Sequence, residues 1–169
     1  GAVPQDWSPN GRWIYYLSRR DGEPRVWRIE ASGGEPERLT PAGATSARAG
    51  PDGTTLYFTR RDEPGIWRLH LDHGDPPEPA VGGVPPYRYD QWGVIENGIY
   101  YPEAVDGSTR LLLRDWEGGA SVRAVLPGGR LYRRVRLDEA GNSVVFSEAR
   151  PLGADLKIIA SPAGNQKIP

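Results

Sequence analysis

The chain contains no cysteine, which excludes disulfides, thiolate metal sites and cysteine nucleophiles. Histidine is almost as scarce, with only His70 and His73. Lysine is limited to Lys157 and Lys167, so nearly all of the 21 basic residues are arginines. These are offset by 22 acidic residues, for a formal net charge of −1. Such a balance lacks the strongly basic field that unaided nucleic-acid binding needs, and no nucleic-acid partner is expected. No apolar run approaches the roughly 18 residues of a membrane-crossing helix, so no membrane partner is expected either. The opening residues, 1–7, carry neither Met nor a signal-peptide pattern and read as a processed, truncated or engineered end. Also missing are a Gly-x-Ser-x-Gly elbow, a Walker loop and a Rossmann glycine pattern. The pairs Gly33-Gly34 and Gly118-Gly119 read as hairpin turns instead. No catalytic motif assembles, and the expectation is a chain that is not an enzyme and carries no cofactor.

What is present points to strands. Twenty-two Gly and seventeen Pro in 169 residues are too many for a helical protein, because both break helix interiors. Six Trp and eight Tyr against two Phe supply large amphipathic rings that suit packing between sheets. The most informative feature is an internal repeat. Its aromatic strand recurs as Trp13-Ile14-Tyr15-Tyr16, Thr55-Leu56-Tyr57-Phe58, Gly98-Ile99-Tyr100-Tyr101 and Ser143-Val144-Val145-Phe146. The spacings from Ile14 to Leu56, Ile99 and Val144 are 42, 43 and 45 residues. That matches the roughly 40–45 residues of a four-stranded propeller blade.

Each copy has the same internal order. A turn comes first, as in Ser8-Pro9-Asn10-Gly11 and Gly50-Pro51-Asp52-Gly53, with Asn-Gly or Asp-Gly favoured where a hairpin needs positive φ. The aromatic strand follows. A second strand comes next: Val26-Trp27-Arg28-Ile29, Ile66-Trp67-Arg68-Leu69, Leu111-Leu112-Leu113-Arg114 and Leu156-Lys157-Ile158-Ile159. After a glycine-containing turn comes an outer strand: Glu37-Arg38-Leu39-Thr40, Glu78-Pro79-Ala80-Val81 and Arg123-Ala124-Val125-Leu126. The fourth copy has only residues 165–169 left for that strand. The expected fold is therefore all-β: one β-propeller segment of four blades, each a four-stranded antiparallel sheet, at about 1–45, 46–84, 85–129 and 130–169. The aromatics read as core spacers; Trp92 and Trp116, which have no equivalents in the first two copies, are the candidates for surface recognition.

The run from Trp7 to Thr40 resembles the TolB-type, WD40-like propeller repeat, and residues 50–74 keep its Pro-Asp-Gly turn and Trp strand. Residues 91–103 and 143–164 resemble the closing repeats of bacterial regulators that fuse a winged-helix DNA-binding domain to such a propeller. The resemblance implies a sensor or effector half; no winged-helix segment lies in this chain. Repeats of this type usually build larger rings, so the expected assembly is a homodimer in which four plus four blades close an eight-bladed ring, set against a closed four-bladed monomer or a fragment of a larger ring. A propeller associated with a prolyl-oligopeptidase-type peptidase, or a half-propeller that only assembles, are the alternatives.

Candidate site residues follow from the first strand of each blade and its flanking loops. These carry Arg48, Tyr87, Arg88, Arg133 and Arg136. Arg48 and Arg136 share one offset, eight residues before Leu56 and Val144. Guanidinium groups with tyrosine would form a basic, aromatic funnel suited to a small anionic ligand, carboxylate or phosphate; a protein or peptide is the other expected partner. The bland reading pairs these arginines with Asp6, Asp90 and Asp138. His70, Asp72 and His73 converge on a metal only if the turn after the strand redirects one histidine, and no metal site is expected. Asp21-Gly22, Asp52-Gly53 and Asp106-Gly107 are explained by turn chemistry.

Overall fold

The computed structural model describes residues 1–86, 91–126, 132–138, 140–150 and 153–160. For 132, 133, 149, 150, 153, 154 and 160 it describes the backbone alone. The elements that span more than one described residue are all strands. The first sheet contains β1 (Ala2–Trp7), β2 (Trp13–Ser18), β3 (Arg25–Glu30) and β4 (Glu37–Arg38). The second contains β5 (Ala44–Ala49), β6 (Thr55–Arg60), β7 (Ile66–His70) and β8 (Glu78–Val81). The third contains β9 (Gly93–Ile95), β10 (Gly98–Val105), β11 (Ser108–Asp115) and β12 (Ala120–Leu126). The fourth contains β13 (Tyr132–Leu137), β14 (Ser143–Arg150) and β15 (Gly153–Ala160). In every sheet the strands lie side by side in chain order and pair antiparallel. Residues 165–169, left over for a fourth outer strand, lie outside the described residues. The chain divides into two compact units, residues 1–89 and 90–169.

Alternation along each strand decides which side chains become core. In the first sheet Tyr15 and Leu17 share a face with Val26, because Val26 pairs with Leu17 and Arg28 with Tyr15. In the second, Leu56 pairs with Leu69 and Phe58 with Trp67. Within the first unit these two faces meet: Tyr15, Val26, Leu56, Phe58 and Leu69 form one buried cluster with Ala44 and Ala47. The second unit repeats the scheme. Tyr100, Leu111 and Leu113 from the third sheet pack with Val144 and Phe146 from the fourth. We call the face a sheet turns toward the next copy its trailing face, and the opposite one its leading face.

Turn chemistry behaves as its residues dictate. Asp106 and Gly107 close the β10–β11 hairpin with φ of 45° and 74°, the two consecutive positive values that a tight two-residue hairpin requires. Asp52 accepts from the Thr54 and Thr55 amides at 3.1 and 2.9 Å and from the Thr55 hydroxyl at 2.6 Å. Two outer strands differ from expectation. β4 stops at Arg38 rather than reaching Thr40: the Leu39 amide still bonds the Val26 carbonyl, but the Thr40 hydroxyl takes the Val26 amide at 2.9 Å. A side chain has replaced a ladder partner, and the strand ends there. β12 begins at Ala120 instead of Arg123, pairing with β11 as far as Arg114.

Candidate functional site

In the first unit the outer margins of the first two sheets enclose a groove of about 690 Å³. Its apolar wall comes from Leu39, Leu69, Leu71 and Pro77, its cationic side from Arg25 and Arg38, with His70 beside them. β3 begins with Arg25, on the face opposite Val26. The Nε of Arg25 is buried and has no hydrogen-bond partner. A guanidinium N–H left so is expensive unless something supplies an acceptor. Two acids also line the groove, Glu37 and Asp75. Glu37 is already engaged with Arg28 at 2.7 Å, whereas Arg38 has only a long 4.0 Å approach to Asp21.

His70 Nδ1 lies 3.4 Å from the Thr55 hydroxyl, and its Nε2 lies 3.8 Å from Glu78. The turn does redirect His73: the two imidazole centroids are 6.1 Å apart, edge to face. Among the described residues no group of three or more His, Asp or Glu side chains could hold a metal ion.

The sequence-predicted ligand arginines are placed as follows. Arg48 on β5 stands opposite Tyr57, and Arg136 on β13 opposite Val145, so both occupy the same register on the first strand of a sheet. They also adopt the same local arrangement. Each guanidinium donates to the carbonyl of the preceding residue, Ala47 at 2.6 Å and Val135 at 2.9 Å. Arg48 is half-buried and Arg136 exposed, and they belong to different units. Arg133 lies in β13 with its side chain outside the described residues, and Tyr87 and Arg88 lie outside them altogether. The acids weighed as partners for these arginines also accept from the backbone. Asp138 accepts from the Asn142 and Ser143 amides at 2.6 and 3.1 Å. Asp6 accepts from the Trp7 and Ala49 amides at 2.9 and 3.0 Å. Asp90 is outside the described residues.

That last contact was not foreseen from sequence. A register shift between Pro4 and Asp6 lets Gln5 and Asp6 both reach the neighbouring sheet. Gln5 takes the Ala47 amide at 3.2 Å and Asp6 the Ala49 amide. β5 is an edge strand whose outward amides need acceptors, and two side chains of β1 provide them. The signal available was two acceptor side chains in succession ahead of the Ser-Pro-Asn-Gly turn.

Electrostatics around the buried rings is set by desolvation. Burial raises the hydroxyl pKa of Tyr15, Tyr57 and Tyr101 above the ordinary value. For Asp52, burial opposes ionisation, but the bonds from Thr55 and Thr54 outweigh it and hold the carboxyl below its usual range. Asp138 is likewise held down, chiefly by the Ser143 amide. Of the two tryptophans expected to read a surface, Trp92 is fully buried at 0% exposure and is corrected to a core residue. Trp116 is 45% exposed, with its indole N–H tied to the Glu96 carbonyl at 2.7 Å.

No protein-family model matches the chain. An uncharacterized protein of Agrobacterium fabrum is 37% identical over 59 residues, covering 34% of this chain and 20% of that protein. Among solved structures, TolB from Acinetobacter baumannii superposes with a TM-score of 0.71 at 19% identity, over 97% of this chain and 42% of that one. Putative TolB from Agrobacterium tumefaciens gives 0.61 at 18% identity, over 96% and 60%. Oligogalacturonate lyase from Vibrio parahaemolyticus gives 0.65 at 12% identity, over 97% and 52%. The chain thus spans between two-fifths and three-fifths of these structures. The lyase corrects the expectation that the chain is not an enzyme: an enzyme is built on this same fold, so missing sequence motifs do not speak against catalysis. The four sheets are four blades of a β-propeller whose structural neighbours include TolB-type proteins.

Proposed function

We propose that this chain is a propeller binding module that takes a carboxylate-bearing ligand, in the form of a short acidic peptide segment, into the groove of its first unit. The observation that carries the reading is a groove of about 690 Å³ lined both by an apolar wall and by Arg25, Arg38 and His70. That volume lies within the roughly 300–1,000 Å³ typical of ligand sites, and an apolar wall with a few placed polar groups is their usual make-up. A carboxylate in the groove would gain a charge-assisted bond from Arg38, whose approach to Asp21 is long at 4.0 Å, with Arg25 and His70 beside it. Pro76 and Pro77 stiffen the opposite lip. The resemblance to winged-helix regulators gives the module a setting, as the sensing part of a larger protein. In that setting two copies associate, four blades with four, to complete a ring of eight.

Titration calorimetry with a short acidic peptide, and with its amidated counterpart, tests the groove. The expected result is binding by the acidic form that weakens about tenfold to a hundredfold in Arg38→Ala. Equal binding of both peptides, or an unaffected variant, would overturn it. A second reading keeps Arg48 and Arg136 as anion-binding residues, favoured by their shared register and shared guanidinium arrangement. Arg48→Ala in the same titration separates the two, because only the second reading expects it to lower affinity.

A further inference from the structure

The groove of the first unit carries charges of both signs, and they are not mixed. Its lining includes two cations, Arg25 and Arg38, and two acids, Glu37 and Asp75. The first sheet supplies both arginines and Glu37, from β3 and β4, whereas Asp75 comes from the loop after β7 of the second. Glu37 is engaged by Arg28 of its own sheet at 2.7 Å. Arg38 comes no nearer to an acid than 4.0 Å, at Asp21. The Asp75 side chain makes no hydrogen bond or ion pair among the described residues. Opposite charges pair directly when their atoms can meet within about 4 Å, and Asp75 does not do so with either arginine. The groove therefore has a cationic pole on the first sheet and an acidic pole on the second.

Between the poles lies the apolar wall. Leu69 belongs to the leading face of the second sheet, and Leu39 and Leu71 pack against the same buried cluster. Pro76 and Pro77 continue the lining and offer no backbone N–H. A bound segment thus finds its polar contacts at the two poles and apolar surface in between. Such a lining does not suit a run of acids, because a second carboxylate would meet Asp75 instead of an arginine. It suits one acid, one aliphatic side chain and one base.

We infer that the peptide segment taken by this groove is bipolar, an acidic and a basic side chain flanking an aliphatic one, with Asp75 selecting for the base. This rests on the groove reading proposed above and narrows it. In an extended segment alternate residues point the same way, so Glu, Leu and Lys at every second position present all three side chains together. Asp75 is exposed, and an exposed ion pair contributes little. Its role is to discriminate among acidic peptides; the affinity comes from the arginines and the apolar wall.

Titration calorimetry with three peptides tests it. The first carries Glu, Leu and Lys at alternate positions, the second has Gln in place of that Lys, and the third has Gln in place of that Glu. The wild type is expected to bind the first about twofold to fivefold more tightly than the second, and the third at least about tenfold more weakly than the first. Asp75→Asn should abolish the preference for the first over the second by weakening the first alone. Asp62→Asn deletes the same charge from the exposed turn between β6 and β7 and should keep the preference. Circular dichroism checks that the sheets persist, which the exposure of Asp75 and the near-identical shape of Asn favour. A wild type without the preference, or a preference that survives Asp75→Asn, would overturn the bipolar ligand. So would a preference lost equally in Asp62→Asn, which would make it an effect of overall charge. If the first two peptides still bind and both weaken in Arg38→Ala, the groove reading stands and only its narrowing falls. Binding by none of the peptides would overturn both.

Discussion

At the scale of single residues, the turns were legible and the edge contacts were not. Asp52 and Asp106 do what short-range chemistry asks, one gathering amides and a hydroxyl of the next residues, the other accepting a positive φ. Trp92 misled because a ring without an equivalent in the repeat looks spare, whereas exposure depends on tertiary packing that spacing does not encode. Gln5 and Asp6 were missed for the same reason: their acceptors matter only once another strand's amides lie opposite them. A pH effect follows from Asp52 and Asp138. Both carboxyls are held below the usual range, so each favours the folded state above the unfolded pKa near 4. That contribution is lost as pH falls through the lowered folded-state values. Asp52→Ala should cost about 1 kcal/mol near neutral pH and flatten the decline below pH about 4, read from urea unfolding across pH. An unchanged slope in the variant would show that the Thr54 and Thr55 bonds do not couple ionisation to folding.

At the scale of elements, the strands could be read because their periodicity and turn residues agree. Where side chains intrude on the ladder, boundaries moved, as at β4 where the Thr40 hydroxyl replaces a backbone partner. The β9–β10 hairpin offers a test of how tightly a turn is specified. Gly98 sits at φ 153°, and a Cβ placed there would run into the Arg114 carbonyl of the adjoining strand. Backbone cannot swing aside as a flexible side chain can. Gly98→Ala is therefore expected to destabilise the second unit by about 1–3 kcal/mol, visible as a lower unfolding midpoint. Gly107→Ala, where φ is 74° but nothing lies within 4 Å, should cost less. Equal losses would remove close approach as the reason for glycine at 98.

At the scale of the whole molecule, four copies of one pattern were visible in the sequence as aromatic strands 42 to 45 residues apart. The groove was not, since its lining comes from the end of β4, the end of β7 and the loop that follows, which become neighbours only when two sheets pack. The shared register of Arg48 and Arg136 was legible as an offset, yet an offset does not say what a guanidinium faces. What unites the account is the register: equivalent positions in successive sheets have equivalent environments until the fourth. Equilibrium unfolding of Ile66→Ala, Leu111→Ala and Leu156→Ala in dilute solution tests that directly. The first two, fully buried, should lose about 2–5 kcal/mol each and the third, exposed, less than about 0.5 kcal/mol. Comparable losses for all three would contradict the register on which the account of the blades rests.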